Sequence, residues 1–158
     1  MDSLGTNLTS RILLTAAVIG GITAFWFWDA SHLVRGKDIN PTYRPYLPAV
    51  CSIRIDRAGE PKKRAEVYFF VGKIRIDYEI IDLDNNKTNV HTIIDTAGSS
   101  YVWREDRAEG DMLVHQRDFS LLTNIVPTNS WFCFPWVLNF SPSIFSLPKN
   151  ITFNEVRS

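Results

Sequence analysis

Three histidines, two cysteines and a scatter of carboxylates are the side chains here with the chemistry for catalysis or metal binding. Of the histidines, His91 and His115 fall in apolar, strand-like surroundings and His32 lies outside them, so each reads as a satisfied surface or core residue rather than a general base. Gly98-Ser99-Ser100 lacks the Gly-x-Ser-x-Gly frame of a nucleophile elbow. Asp82-x-Asp84-x-Asn86 copies the first ligand positions of a calcium loop. Lys87, however, stands where glycine is needed and Ile93 where the closing glutamate belongs, so a hairpin turn is the better reading. Asp56, Asp77, Asp95 and Asp111 follow no pairing rule and read as solvent-face residues. No catalytic residue, metal site or cofactor is expected, and the chain reads as a non-enzyme.

Cys51 and Cys133 lack the Cys-x-x-Cys spacing of a zinc site. Each sits at a plausible edge of the folded part, where the two could pair in an oxidising compartment; two buried free thiols are the alternative. Trp103, Trp131, Phe132 and Trp136 belong to an aromatic excess that either fills a small core or lines an apolar cavity. In the cavity reading these four bind the ligand.

The elements that position these residues begin with an apolar stretch. Residues 12–28 carry no charge, between Arg11 and Asp29, and 17 residues are close to the minimum for a transmembrane helix. Phe25-Trp26-Phe27-Trp28 closes the stretch as an interfacial aromatic cluster does. Signal cleavage wants small residues where Trp26, Trp28 and Asp29 stand, which favours a retained anchor. Leu47-Pro48-Ala49-Val50-Cys51 fails as a lipoprotein box, because Cys51 lies too far from the apolar stretch and follows Val50. Arg35, Lys37 and Arg44 outnumber Arg11 and by charge counting would hold the domain in the cytoplasm. The cysteines, and the Asn-x-Ser/Thr triplets beginning at Asn86, Asn139 and Asn150, argue for the extracytoplasmic side, which is the expected location of the C-terminal domain.

The reading is therefore a tail and anchor over residues 1–30, a polar linker over 31–48 and one β-rich domain over 49–158. Lys plus Arg equals Asp plus Glu at 17 each, and no nucleic-acid-binding face is expected. The basic cluster Lys62-Lys63-Arg64 after Gly59-Glu60-Pro61 reads as a solvated loop.

Within the domain, Cys51, Ile53 and Ile55 alternate with polar residues, and Ile74, Ile76, Tyr78 and Ile80 do so more clearly. Residues 66–71 precede them, with Gly72 expected to bend one long ribbon. The turn-rich stretch 82–87 leads to a partner strand at 89–95, and residues 100–104 pair with 112–116 around a charged tip. Residues 118–124 read as a short helix ended by Pro127, and 151–153 as a last edge strand. The fold class is mainly β: a transmembrane helix, then a curved antiparallel meander with one short helix.

Laid out this way, the domain resembles the LolA-like half-barrel proteins of the cell envelope over about residues 51–155. The similarity lies in Gly72-Lys73-Ile74-Arg75-Ile76-Asp77-Tyr78, Ile93-Ile94-Asp95, Tyr101-Val102-Trp103, Cys133-Phe134-Pro135-Trp136, and residues 147–153. The resemblance implies a sheet curled around an apolar concave face, with a lipid, an acyl chain or a membrane-protein partner. It also implies a partner for the late cysteine at the start of the first strand, the place Cys51 holds. The tether departs from a carrier that must diffuse. An accessory subunit, whose anchor packs on other helices through Gly20-Gly21, is the alternative.

Overall fold

The structure, a computed structural model, describes residues 3–35, 38–39, 45–55, 58–95, 98–114, 131–136 and 140–156. Among the described residues, one helix, α1 (Ser3–Ser31), precedes ten strands: β1 (Val34–Arg35), β2 (Asp38–Ile39), β3 (Ala49–Ile55), β4 (Lys62–Phe70), β5 (Lys73–Ile81), β6 (Lys87–Asp95), β7 (Ser99–Arg104), β8 (Glu109–Val114), β9 (Phe132–Pro135) and β10 (Thr152–Val156). A 3-10 turn spans Pro142–Phe145. The expected short helix over 118–124, His115 and the triplet at Asn139 lie outside the described residues.

Over residues 12–28 α1 is apolar around its circumference, with no polar stripe to turn toward water, and its segment Thr9–Ser31 is long and apolar enough to cross a membrane. Thr15 and Thr23 return their hydroxyls to carbonyls one turn back, which satisfies them without water. The last turn is closed by Ser31 Oγ and His32 Nδ1, both on the Trp28 carbonyl. Asp29 is fully buried, its carboxylate accepting the backbone N–H groups of Tyr46 (2.8 Å) and Leu47 (3.1 Å). Ala30 and Leu33 lie within the core of the sheet.

Eight strands form one open sheet in the order β10-β8-β7-β6-β5-β4-β3-β9. From β3 to β8 each strand pairs antiparallel with the next, as short loops between alternating segments require. Gly72 does not bend one ribbon. Val71 (φ 36°) and Gly72 (φ 76°) form a two-residue reversal that joins Phe70 to Lys73, which matches the primed turns whose twist suits a tight hairpin. The basic cluster is likewise not a loop: Lys62, Lys63 and Arg64 open β4. The later hairpin has a shorter tip than expected, since β8 begins at Glu109 and β7 ends at Arg104.

β9 and β10 complete the sheet from outside the meander. β10 is an edge strand running parallel to β8, while β9 runs antiparallel to β3 and α1 lies alongside it. A helix beside an edge strand is one way to shield its unpaired backbone groups.

The strict period of two sorts the residues onto two faces. One face is apolar: Ala49, Cys51 and Ile53, then Ala65, Val67 and Phe69, then Ile74, Ile76 and Ile94 pack with Ala30, Leu33 and Trp131. The other is polar over its middle. Toward β9 it carries a small apolar cluster of Val50, Trp136 and Phe145, bordered by Tyr68, Phe70 and Phe140.

Candidate functional site

On the polar face, one row crosses the sheet through residues directly opposite one another: Glu66, Asp77, His91, Trp103, Gly110 and Phe153. Two carboxylates, Glu66 and Asp77, meet in this row, and like charges directly opposite destabilise a sheet unless they are compensated. The compensation comes from the same face. Glu66 takes the Arg64 guanidinium and the Tyr68 hydroxyl, and burial together with that bond pushes the Tyr68 hydroxyl's pKa up. Asp77 Oδ1 receives Arg75 Nε and His91 Nδ1, each at 2.7 Å.

His91 is the hub. Its Nδ1–H donates to Asp77 and its Nε2 lies 3.1 Å from Glu105 Oε1, an arrangement that suits an imidazolium donating from both nitrogens. The bond to Asp77 raises the His91 pKa, working against its partial burial and the nearby Arg75 guanidinium. Burial alone would raise the Asp77 carboxyl, but the hydrogen bonds from His91 and Arg75 outweigh it and the net direction is down. Glu105 is held low chiefly by the side-chain amide of Asn89, and then by His91.

Aromatic contacts fix the ring's position. Trp103 stacks on His91 at 5.3 Å between centroids, and the Arg75 guanidinium carbon lies 5.7 Å from the Trp103 ring. Phe153 meets Trp103 edge-on at 5.9 Å. Gly110 makes this possible: a Cβ there would lie 2.8 Å from both the Phe153 ring and the Val102 carbonyl oxygen. Arg75 also donates to the Ile144 carbonyl, tying the 3-10 turn to the middle of the sheet. Two shallow grooves flank the row. One of about 270 Å³ is lined by Arg75, His91, Trp103, Glu105, Ser146 and Asn150. The other, of about 230 Å³, lies over Arg64, Glu66, Asp77, Glu79 and Asn89.

Chemically, this is a saturated polar ladder. His91 has both nitrogens in contact with carboxylates, Nδ1 with Asp77 and Nε2 with Glu105, and Ser146 shares the lining of its groove. Among the described residues, no group of three His, Cys, Asp or Glu side chains could hold a metal ion. Asp82 closes a hairpin turn, its carboxylate accepting the N–H groups of Asp84 and Asn86 and the Asn86 side-chain amide. That last contact leads the effects that lower its pKa.

The residues singled out from the sequence are not gathered in one place. Cys51 and Cys133 are directly opposite on β3 and β9, joined as a disulfide with Cα atoms 4.0 Å apart. Trp131 lies in the apolar-face core and Trp136 in the small cluster on the polar face, its N–H donating to the Pro48 carbonyl. Trp103 belongs to the ladder, while Phe132 is 68% exposed on β9. Among the described residues the four aromatics lie at separate places on the sheet.

Sequence reading missed the ladder, although its signal was present. Once the turn at residues 82–86 sets the register, Asp77 must face His91, and Arg75 shares their face. Comparison with protein-family models, with curated proteins and with solved structures finds no match for this chain.

Proposed function

We propose that this chain is a single-pass membrane protein whose β-domain stands on the oxidising, extracytoplasmic side as a non-catalytic assembly module. Its polar sheet face receives a protein partner. The carrying observation is the rigid mounting of the domain on α1. Asp29 is buried on the backbone of Tyr46 and Leu47, and the Pro48 carbonyl accepts both Trp26 Nε1 and the Trp136 N–H, each at 3.0 Å. Such a joint holds the ladder at one height and orientation, which suits a subunit of a membrane complex and is of no use to a carrier that must diffuse.

Two further features support this reading. A Cβ added at Gly20 or Gly21 would meet nothing within 4 Å, so a second helix could approach α1 closely there. The ladder presents mixed charge with aromatic backing, a composition that gives specificity in protein contacts. Capture of an acyl chain, as the half-barrel resemblance implies, would require the aromatics to surround one cavity.

The test is mild detergent extraction of the full chain from its own membrane, followed by native mass measurement. A defined assembly is expected, and Glu105→Arg with Arg64→Glu should dissociate it while far-UV circular dichroism shows the sheet still folded. A monomer, a monomer carrying only lipid, or an assembly indifferent to both substitutions would sink the proposal.

A further inference from the structure

Edge strand β9 leaves Phe132 (68%) and Phe134 (36%) exposed, with their rings in contact at 5.8 Å. Large apolar side chains exposed together signal an interaction surface rather than random scatter. Their position relative to α1 names the partner. The Pro48 carbonyl takes a bond from Trp26 of α1 and another from Trp136, one residue past β9, so the strand ends at the level of Trp26. Around that level Phe25, Phe27 and Trp28 are exposed on the helix, and Tyr46 is exposed beside Phe25 with rings 6.3 Å apart.

Heights can be compared. A hydrocarbon layer of about 30 Å takes roughly 20 helical residues, so an upright span that begins after Arg11 ends near Ser31, about 7 Å beyond Trp26. Along the strand, at about 3.3 Å per residue, Phe134 reaches at most roughly 7 Å and Phe132 roughly 13 Å from Trp136. Phe134 thus lies no farther out than the hydrocarbon boundary and Phe132 no farther out than the headgroup layer, which is about 5–7 Å thick. Asp29 falls in the same zone and is wholly enclosed by protein.

From this geometry we infer that Phe132 and Phe134 are a second membrane contact. They enter the bilayer surface beside α1 and fix the tilt of the domain against the lipid. The inference rests on the reading of α1 as a membrane anchor.

The test is photolabelling of the full chain in phosphatidylcholine vesicles that contain phosphatidylcholine bearing a diazirine at the headgroup end of one acyl chain. Reduction, proteolysis and mass mapping follow. Adducts are expected on α1 and on Phe132 or Phe134, with several-fold less on residues 82–87 at a distant hairpin tip. Phe132→Ser with Phe134→Ser should abolish adducts over 131–136 while α1 stays labelled. Labelled α1 with unlabelled 132–134 would overturn this inference alone, whereas unlabelled α1 would overturn the anchor reading beneath it. A benzophenone amino acid at position 132 gives an independent readout without loss of an aromatic ring. Adducts to lipid support the contact, and adducts to a second copy or another protein in their place refute it.

Discussion

Breaking the Cys51–Cys133 bond should have the largest effect of any single covalent change in the domain. The cysteines are 82 positions apart. The chain-entropy relation gives a loss of about 15 cal/mol/K for closing such a loop in the unfolded chain, or about 4.5 kcal/mol at 25 °C. A domain of this size has only about 5–15 kcal/mol in total, so the reduced form should approach marginal stability. Cys51 is fully buried beside Val67 and Ile53, so Cys51→Ala with Cys133→Ala is the gentler probe, since serine would bury a hydroxyl. Guanidinium unfolding of the full chain in detergent micelles, followed by tryptophan fluorescence, should show a lower midpoint and a steeper denaturant dependence, because the unlinked chain exposes more surface. Strand β9 has four residues and should detach first, exposing Trp131 and Trp136. A stability change below about 1 kcal/mol, or two alkylatable thiols in the native protein, would refute the reasoning.

Four other predictions concern the sheet. The raised pKa of His91 contributes stability that is fully present below the unfolded value near 6.5 and lost as pH rises through the higher folded value. His91→Gln should cost about 1 kcal/mol at pH 6 and remove that loss, as measured by melting temperature against pH; an unchanged profile would show that the ladder carries no protonated histidine. Asp77 works oppositely, its stabilising effect lost as pH falls below about 3.8 toward the lower folded value. Val71 is exposed at positive φ, where a β-branched residue is strained, so Val71→Asn should raise stability by about 1 kcal/mol. Gly110→Ala forces apart Phe153 and the Val102 carbonyl and should cost about 1–3 kcal/mol, with loss of the Trp103 near-UV circular dichroism signal.

What the sequence by itself determined is whatever depends on neighbours along the chain. An uncharged stretch of 17 residues specifies an apolar helix, and alternation with turn-forming residues between segments specifies hairpins in sequence order. Most of the β3–β8 meander follows from these local rules. The fate of Gly72 was less legible, because a bulge and a two-residue reversal differ only in where the next strand goes, and Val71 is an unusual residue for the reversal. Tertiary structure alone decided the rest. It put Cys133 opposite Cys51, separated Trp131 from Trp136 onto opposite faces, and buried Asp29 on a backbone 17 residues away. It also gathered Glu66, Asp77, His91 and Trp103 from four strands into one row. Pairing across a sheet depends on register, and register is a property of two segments at once, which no single stretch of sequence contains.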